Sequence, residues 1–255
     1  MIHDVLASAI IALGGFLIGI ARTEIAVSVR HRKARRFWQP FINNGSVTIA
    51  IGSHQVLRAY EPSGMVGMGD VEALLRLQRF LVQVFKLDGE KIVVISPEGR
   101  AEGDLHRSVV LIGSPDGNDL TKRTLQSIQQ STSSQRKDRL PFEFVTTAGQ
   151  PNKLRFRSSS KRYRELEAAR AQGGDVGRDF GVVARLPNPY AEGTSVLLLA
   201  GLYGHGTYAA THVVTEERMV SRLPYRTSQR FACLLFVDVI HSRAEEPKIE
   251  EVCEF

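Results

Sequence analysis

The apolar residues of this chain fall into short unbroken runs divided by helical patterns. The runs at 47–52 (VTIAIG), 91–96 (KIVVIS), 108–113 (SVVLIG) and 195–201 (SVLLLAG) are brief, rich in branched residues and bounded by turn formers. Continuous runs of this kind predict strands covered on both faces, as in a parallel sheet. Between the first two, Asp70 is expected to cap a helix of about seventeen residues. Leu74, Leu75, Leu77, Leu81, Val82 and Phe85 would form its broad apolar face. A second helix is expected over 118–130 and a third from Thr207 to about Val214. Segments 141–145 and 153–157 read as a hairpin, whereas 131–140 and 158–178 read as charged loops. Strands at 179–186, 231–240 and 248–255 complete the pattern, with Pro187-Asn188-Pro189 breaking the first. The expected fold is α/β: a Rossmann-like, mostly parallel sheet with helices on both faces and antiparallel C-terminal strands.

A longer uncharged run, 5–21, precedes all of this. At 1.5 Å per residue it spans about 26 Å, close to the minimum for one transmembrane helix. Arg22, Arg30, Arg32, Lys33, Arg35 and Arg36 follow, opposed only by Glu24. A cleavable signal would carry positive charge before the run, but Asp4 and His3 stand there instead. The positive-inside rule then places the body on the cytoplasmic side of the inner membrane, as a single-pass protein. The expected organisation is an anchor at 1–22, a basic juxtamembrane segment at 23–44 and a cytoplasmic domain at 45–255. Gly15 and Gly19 fit the G-x-x-x-G spacing, so the anchor is a candidate route to a homo-oligomer.

Charge sharpens this picture. The net charge is +6, of which 22–36 supply +5 and Asp4 supplies −1, leaving +2 for the rest. The basic flank suits anionic lipid headgroups. Residues 121–170 carry a further local excess of Lys and Arg, which reads as a solvated face; the small charge on the body argues against nucleic acid as a partner. Cys233 and Cys253 match no metal spacing and fit a reducing compartment; no metal site is expected.

Two glycine-rich turns carry the most suggestive chemistry. VVLIGSPDGNDLT and VLLLAGLYGHGTYAA each lead from a buried strand into a helix. In a parallel sheet such turns lie at the carboxyl edge, where ligands bind. Their free amides and the positive helix end favour a small anionic ligand, nucleotide-like or phosphorylated. The candidate contacts are Gly113, Ser114, Asp116, Gly117 and Asn118 in the first turn. In the second they are Gly201, Tyr203, Gly204, His205, Gly206 and Thr207. Gly52 and Ser53 end a third strand of the same type. Asp116 and Asn118 equally suit capping of the next helix. Neither the dinucleotide fingerprint nor the P-loop is present, and no cofactor is implied.

The strand followed by Gly201-x-x-Gly204-x-Gly206-Thr207 and a helix resembles the nucleotide-binding turn of the SLOG group, the Rossmann-like domains related to LOG and lysine-decarboxylase-like proteins. That resemblance implies either nucleotide N-glycosidic hydrolysis or sensing of nucleotide-derived signals, often beside membrane helices in bacterial defence systems. The group's proline-glycine-glycine lead into the turn is here Ala200-Gly201-Leu202, and its glutamate after glycine-threonine is replaced by Tyr208-Ala209-Ala210. The departure points away from hydrolysis and towards sensing.

Weak catalytic candidates are His205 as a base, Glu98 with Glu102 and Asp104 as paired carboxylates, and Ser114 as a nucleophile. Ser114 lacks the G-x-S-x-G frame. Arg185 and Asn188 could reach the same edge. The expected function is a membrane-anchored ligand sensor. A nucleotide hydrolase and a scaffold without small ligand are the alternatives.

Overall fold

The computed structural model describes residues 30–42, 44–53, 65–96, 105–131, 140–147, 150–157, 162–171, 173–224 and 230–255. The expected anchor and Glu98, Glu102 and Asp104 lie outside these. Among the described residues no helix is long and apolar enough to cross a membrane.

The strands are β1 (Val47–Ile51), β2 (Ile92–Ile95), β3 (Val109–Ile112), β4 (Phe142–Val145), β5 (Lys153–Arg157), β6 (Tyr163–Glu167), β7 (Ala169–Arg170), β8 (Val176–Pro187), β9 (Ser195–Gly201), β10 (Phe231–Ile240), β11 (Arg243–Ala244) and β12 (Lys248–Glu254). The helices are α1 (Arg32–Trp38), α2 (Met68–Phe85), α3 (Asp119–Ser131), α4 (Gly204–Thr215) and α5 (Glu217–Val220). The main sheet runs β2-β1-β3-β9-β8-β10, with β11 and β12 both on β10 and β7 on β8. The four apolar runs form its parallel part, β2-β1-β3-β9. The antiparallel part is not confined to the C-terminal strands. It begins with β8, which lies between β9 and β10 and opposes both.

Alternation along β8 shows how both faces are filled. Val183 enters a core beneath α1, α2, α4 and α5. Val182, Ala184 and Leu186 enter a second core with Leu125 and Ile128 of α3 and Phe142 and Phe156 of β4 and β5. The hairpin 141–145/153–157 is therefore present, and it packs as a layer of its own with β6.

Segment 158–178 is not merely loop, since it contains β6 and β7. β6 (YRELE) has no long apolar alternation to betray it. Charge pairs it instead: Glu143, Arg155 and Glu165 lie opposite one another across β4, β5 and β6. Arg155 bridges Glu165 at 2.7 Å and Glu143 at 3.7 Å. These pairs, with Arg164–Glu250 at 2.8 Å, neutralise part of the basic excess of 121–170.

Two corrections concern α2. Its cap is Gly67, and Asp70 sits one turn further in, buried. Ala73, Leu77, Phe80, Leu81 and Val84 face the core. Leu75 and Val82, expected on that face, point outward.

The segment expected to be juxtamembrane, 23–44, is in its described part built into the domain. Ala34, Phe37, Trp38 and Phe41 are fully buried in the first core. The Glu217 carboxylate accepts the Lys33 and Ala34 amides of α1, each at 2.9 Å. Trp38 Nε1 donates to the Val214 carbonyl at 2.8 Å. The helix that follows the basic flank is thus fastened to α4 and α5, while Arg32, Lys33 and Arg36 stay exposed.

Because Glu217 supplies acceptors for two first-turn amides of α1, Glu217→Ala is expected to cost about 1–2 kcal/mol. The test is a urea unfolding curve beside Glu217→Gln, which keeps one acceptor and should lie between. Equal midpoints for all three proteins would show that this cap contributes nothing.

Candidate functional site

Parallel pairing brings the ends of β1, β3 and β9 side by side, so Gly52, Gly113 and Gly201 share one carboxyl edge. The helix after β1, α2, belongs to the first core, and the helix after β3, α3, belongs to the second. The connections therefore leave on opposite faces, and the edge between β1 and β3 is a topological switch point of the kind where α/β folds bind ligands.

What fills that edge is mostly the protein itself. A Cβ at Gly52 would lie within 2.6 Å of Asn118 Cβ and closer still to the Gly117 carbonyl, so the two turns touch through backbone. Gly113 has φ +105°, a value that excludes other residues at low cost. Its amide donates to the Leu199 carbonyl at 3.0 Å, and its carbonyl accepts Thr121 Oγ1 at 3.1 Å. Asp70 Oδ2 lies over the Gly113 Cα, 3.3 Å from where a Cβ would stand. Asn118 takes the capping role. Its Oδ1 accepts the Leu120 and Thr121 amides at 3.0 and 3.2 Å, and its Nδ2 donates to the Ile112 carbonyl at 2.9 Å. Ser114 Oγ donates to Asp116 Oδ1, and Asn152 Nδ2 donates to Asp116 Oδ2 at 2.7 Å. Ser114 is thus the partner of a carboxylate, not of a histidine. Ser53 Oγ is buried and has no hydrogen-bond partner among the described residues.

The second turn is organised by a residue the sequence reading passed over. Asp179, fully buried on β8, accepts the Gly206 amide at 2.6 Å, the Phe180 amide at 2.8 Å and the Tyr203 amide at 3.2 Å. An internal carboxylate thus lies on the first-turn amides of α4, the place expected for a ligand phosphate. Burial pushes its carboxyl up to about 6, against the three amides that favour its charged form. The clue in the sequence was a lone aspartate opening an apolar strand, a charge that burial obliges to find donors. Thr207 Oγ1 accepts the Gly201 amide at 3.1 Å. Gly204 packs on Gly69 of α2, with no room for a Cβ between the two backbones. Gly206 packs on the Phe180 carbonyl in the same way.

His205 and Tyr208 point away from this packing, into a groove of about 750 Å³ along α2 and α4. Arg30, His31, Arg76, Arg79 and Arg243 also line it, against Glu72 and Glu216. Arg76 is held in place by Thr215 Oγ1, 2.8 Å from its Nε, and by the Tyr208 hydroxyl at 3.3 Å. Its guanidinium stands 5.7 Å from the Tyr208 ring centre. Among the described residues Arg30, Arg79 and Arg243 make no ion pair. His212, one face further round α4, is pushed down to about 4 by burial and by Arg76, and so is neutral at ordinary pH. Among the described residues no group of His, Cys, Asp and Glu is placed to hold a metal.

Arg185 and Asn188 are at the opposite edge, because β8 runs against β9. Arg185 is buried among Phe37, Phe41 and Phe231, 4.9–5.6 Å from their ring centres, and burial lowers it to about 10. Asn188 holds the carbonyls of Leu105 and Arg107 at 2.9 and 3.0 Å.

Asp179 gives the domain a pH signature. Between pH 4 and 6 the native carboxyl holds a proton that the unfolded chain has released, so this group's contribution to stability rises as pH falls. With a native value of about 6 the gain from pH 7 to 4 is about 2 kcal/mol. Asp179→Asn removes that slope. It also sets an amide donor against the Gly206 or Tyr203 N–H, and should cost about 1–3 kcal/mol at pH 4, where the native acid is neutral. Denaturant unfolding of both proteins from pH 4 to 7 is the measurement, and an identical slope would sink the assignment.

No protein-family model matches the chain and no curated protein matches it, so the geometry of the edge and the groove carries the functional reading.

Proposed function

We propose that the chain is a membrane-anchored cytoplasmic sensor that binds a nucleotide-like or phosphorylated anion in the groove along α2 and α4. The observation that carries this is the gathering of Arg30, Arg76, Arg79 and Arg243 with His205 and Tyr208 around one cavity of about 750 Å³. That volume is typical of small-ligand sites. Guanidinium groups suit phosphate oxygens, and Tyr208 offers an aromatic face for a base. The helix ends at the carboxyl edge are poorer hosts, since Asn118 and Asp179 already take their amides. The glycine turns then act as scaffold, and His205 is the residue of the second turn that reaches the ligand.

The anchor reading rests on the uncharged 5–21 run and the basic residues after it. The exposed Arg32, Lys33 and Arg36 of α1 are available to anionic headgroups. Arg30 and His31 belong both to that flank and to the groove, so an anion bound there would lie next to the segment that follows the proposed anchor.

Calorimetry of the full chain in mild detergent against a panel of nucleotides and phosphorylated metabolites tests the reading. At least one anion should bind without being consumed. His205→Ala should weaken it by about 1–2 kcal/mol, as for one charge-assisted hydrogen bond. Arg243→Glu, exposed on the short strand β11, should weaken it at least as much and leave the melting temperature unchanged. Product formation would favour the hydrolase instead, and silence across the panel would favour a scaffold. For the topology, a C-terminal reporter should be active only in the cytoplasm, and the chain should resist high-salt extraction from membranes. Recovery of a processed chain beginning near residue 22 would overturn it.

A further inference from the structure

The outward face of α2 is patterned, and Glu72, Leu75 and Arg79 of that pattern also line the groove. Met68, Leu75 and Val82 are 73, 45 and 46 % exposed and stand seven residues apart, on one line of the helix. Glu72 and Arg79 fall between them on the same line, at alternating spacings of four and three. The other side of the helix is fully engaged through Leu77, Phe80 and Leu81. Isolated exposed apolar residues are ordinary, but three in register along a helix make a continuous seam. Among the described residues neither Glu72 nor Arg79 makes an ion pair.

We infer that this face is a self-association surface, on which α2 of a second copy packs antiparallel about a two-fold axis at Leu75. The seam is complementary to its own reverse. Leu75 meets the partner's Leu75. Met68 and Val82 lie seven residues to either side, about 10 Å, so each Met68 meets the partner's Val82. Glu72 lies three residues above the axis and Arg79 four below, which brings each Glu72 within about 2 Å of axial register with the partner's Arg79. A parallel pair would instead set Glu72 on Glu72 and Arg79 on Arg79. Charge therefore selects the orientation, and the two-fold makes the contact close on itself as a dimer. One helix face covers less than the usual 800 Å² or so per partner, so the pairing is weak in dilute solution. Confinement of two chains to one membrane would raise it.

Cysteine cross-linking of the full chain in detergent or vesicles tests this in a Cys253→Ser background, with the buried Cys233 left in place. On oxidation Leu75→Cys should form a disulfide-linked dimer, and Met68→Cys alone should give at least fivefold less. Added to Leu75→Cys, either Glu72→Arg or Arg79→Glu should cut the cross-link at least fivefold, and the two together should restore it. All these side chains are outward, so matching melting temperatures are expected and checked by circular dichroism. Equal cross-linking through Met68→Cys would show a parallel pair and overturn the arrangement. No dimer through Leu75→Cys, or no rescue by the double exchange, would overturn self-association and leave the seam to a different partner. Glu72, Leu75 and Arg79 also line the groove, so the cross-linking is read without added anion, and Arg243→Glu and His205→Ala, which lie off the seam, report ligand binding separately.

Discussion

Three main-chain amides converge on the carboxylate of Asp179, and the placement of α4 depends on them. Removing a carboxylate from water costs several kcal/mol unless donors replace the lost hydration. Here the donors come from Phe180 beside it and from Tyr203 and Gly206 at the positive end of α4. The helix cannot slide along β8 without stranding the charge. Once α4 is fixed, α2 must cross it where Gly69 meets Gly204, since only glycine backbones come that close. Val214 and Glu217, at the end of α4 and the start of α5, then receive Trp38 and the first turn of α1. The groove is the space this stack leaves between α2, α4 and the strand β11 with Ser242 before it. The shape of the candidate site thus follows from a buried acid on the antiparallel part of the sheet.

Much of this fold could be read from the chain because burial on two faces leaves a plain signature. VTIAI, VVLI and SVLLLAG have few other uses, and they are β1, β3 and β9. The α3 cap was likewise visible, because Asn118 just before a helical pattern has a local bonding choice that the structure adopts. What escaped was set by partners distant in sequence. β6 is specified by charges that match those on β5, so its own five residues look like loop. Leu75 and Val82 have the same hydrophobicity as Leu77 and Leu81, and only the position of α4 decides which line of α2 turns inward. Phe37, Trp38 and Phe41 read as the end of a basic flank until Arg185 is found buried among Phe37, Phe41 and Phe231.

The second turn shows why a glycine spacing underdetermines function. Gly201-x-x-Gly204-x-Gly206 is needed wherever a helix must start directly above a strand with another backbone against it. A ligand phosphate is one guest for the amides so exposed, and a carboxylate from a neighbouring strand is another. The two differ in what else the chain supplies. A phosphate site needs nothing from β8, whereas an internal carboxylate needs one acid at the position that Asp179 occupies. With that acid present, an incoming anion at the same amides would meet a like charge at close range in a medium of low dielectric. The same anion in the groove meets guanidinium groups, three of them on exposed residues with water at hand. Electrostatics therefore favours the helix flank over the helix end for the proposed anion. There it would lie beside Arg30 and His31, at the start of α1, and within reach of the seam on α2. A bound anion would draw together side chains from α2, α4 and that stretch, adding to the ring contact that His31 already makes with Phe80 of α2.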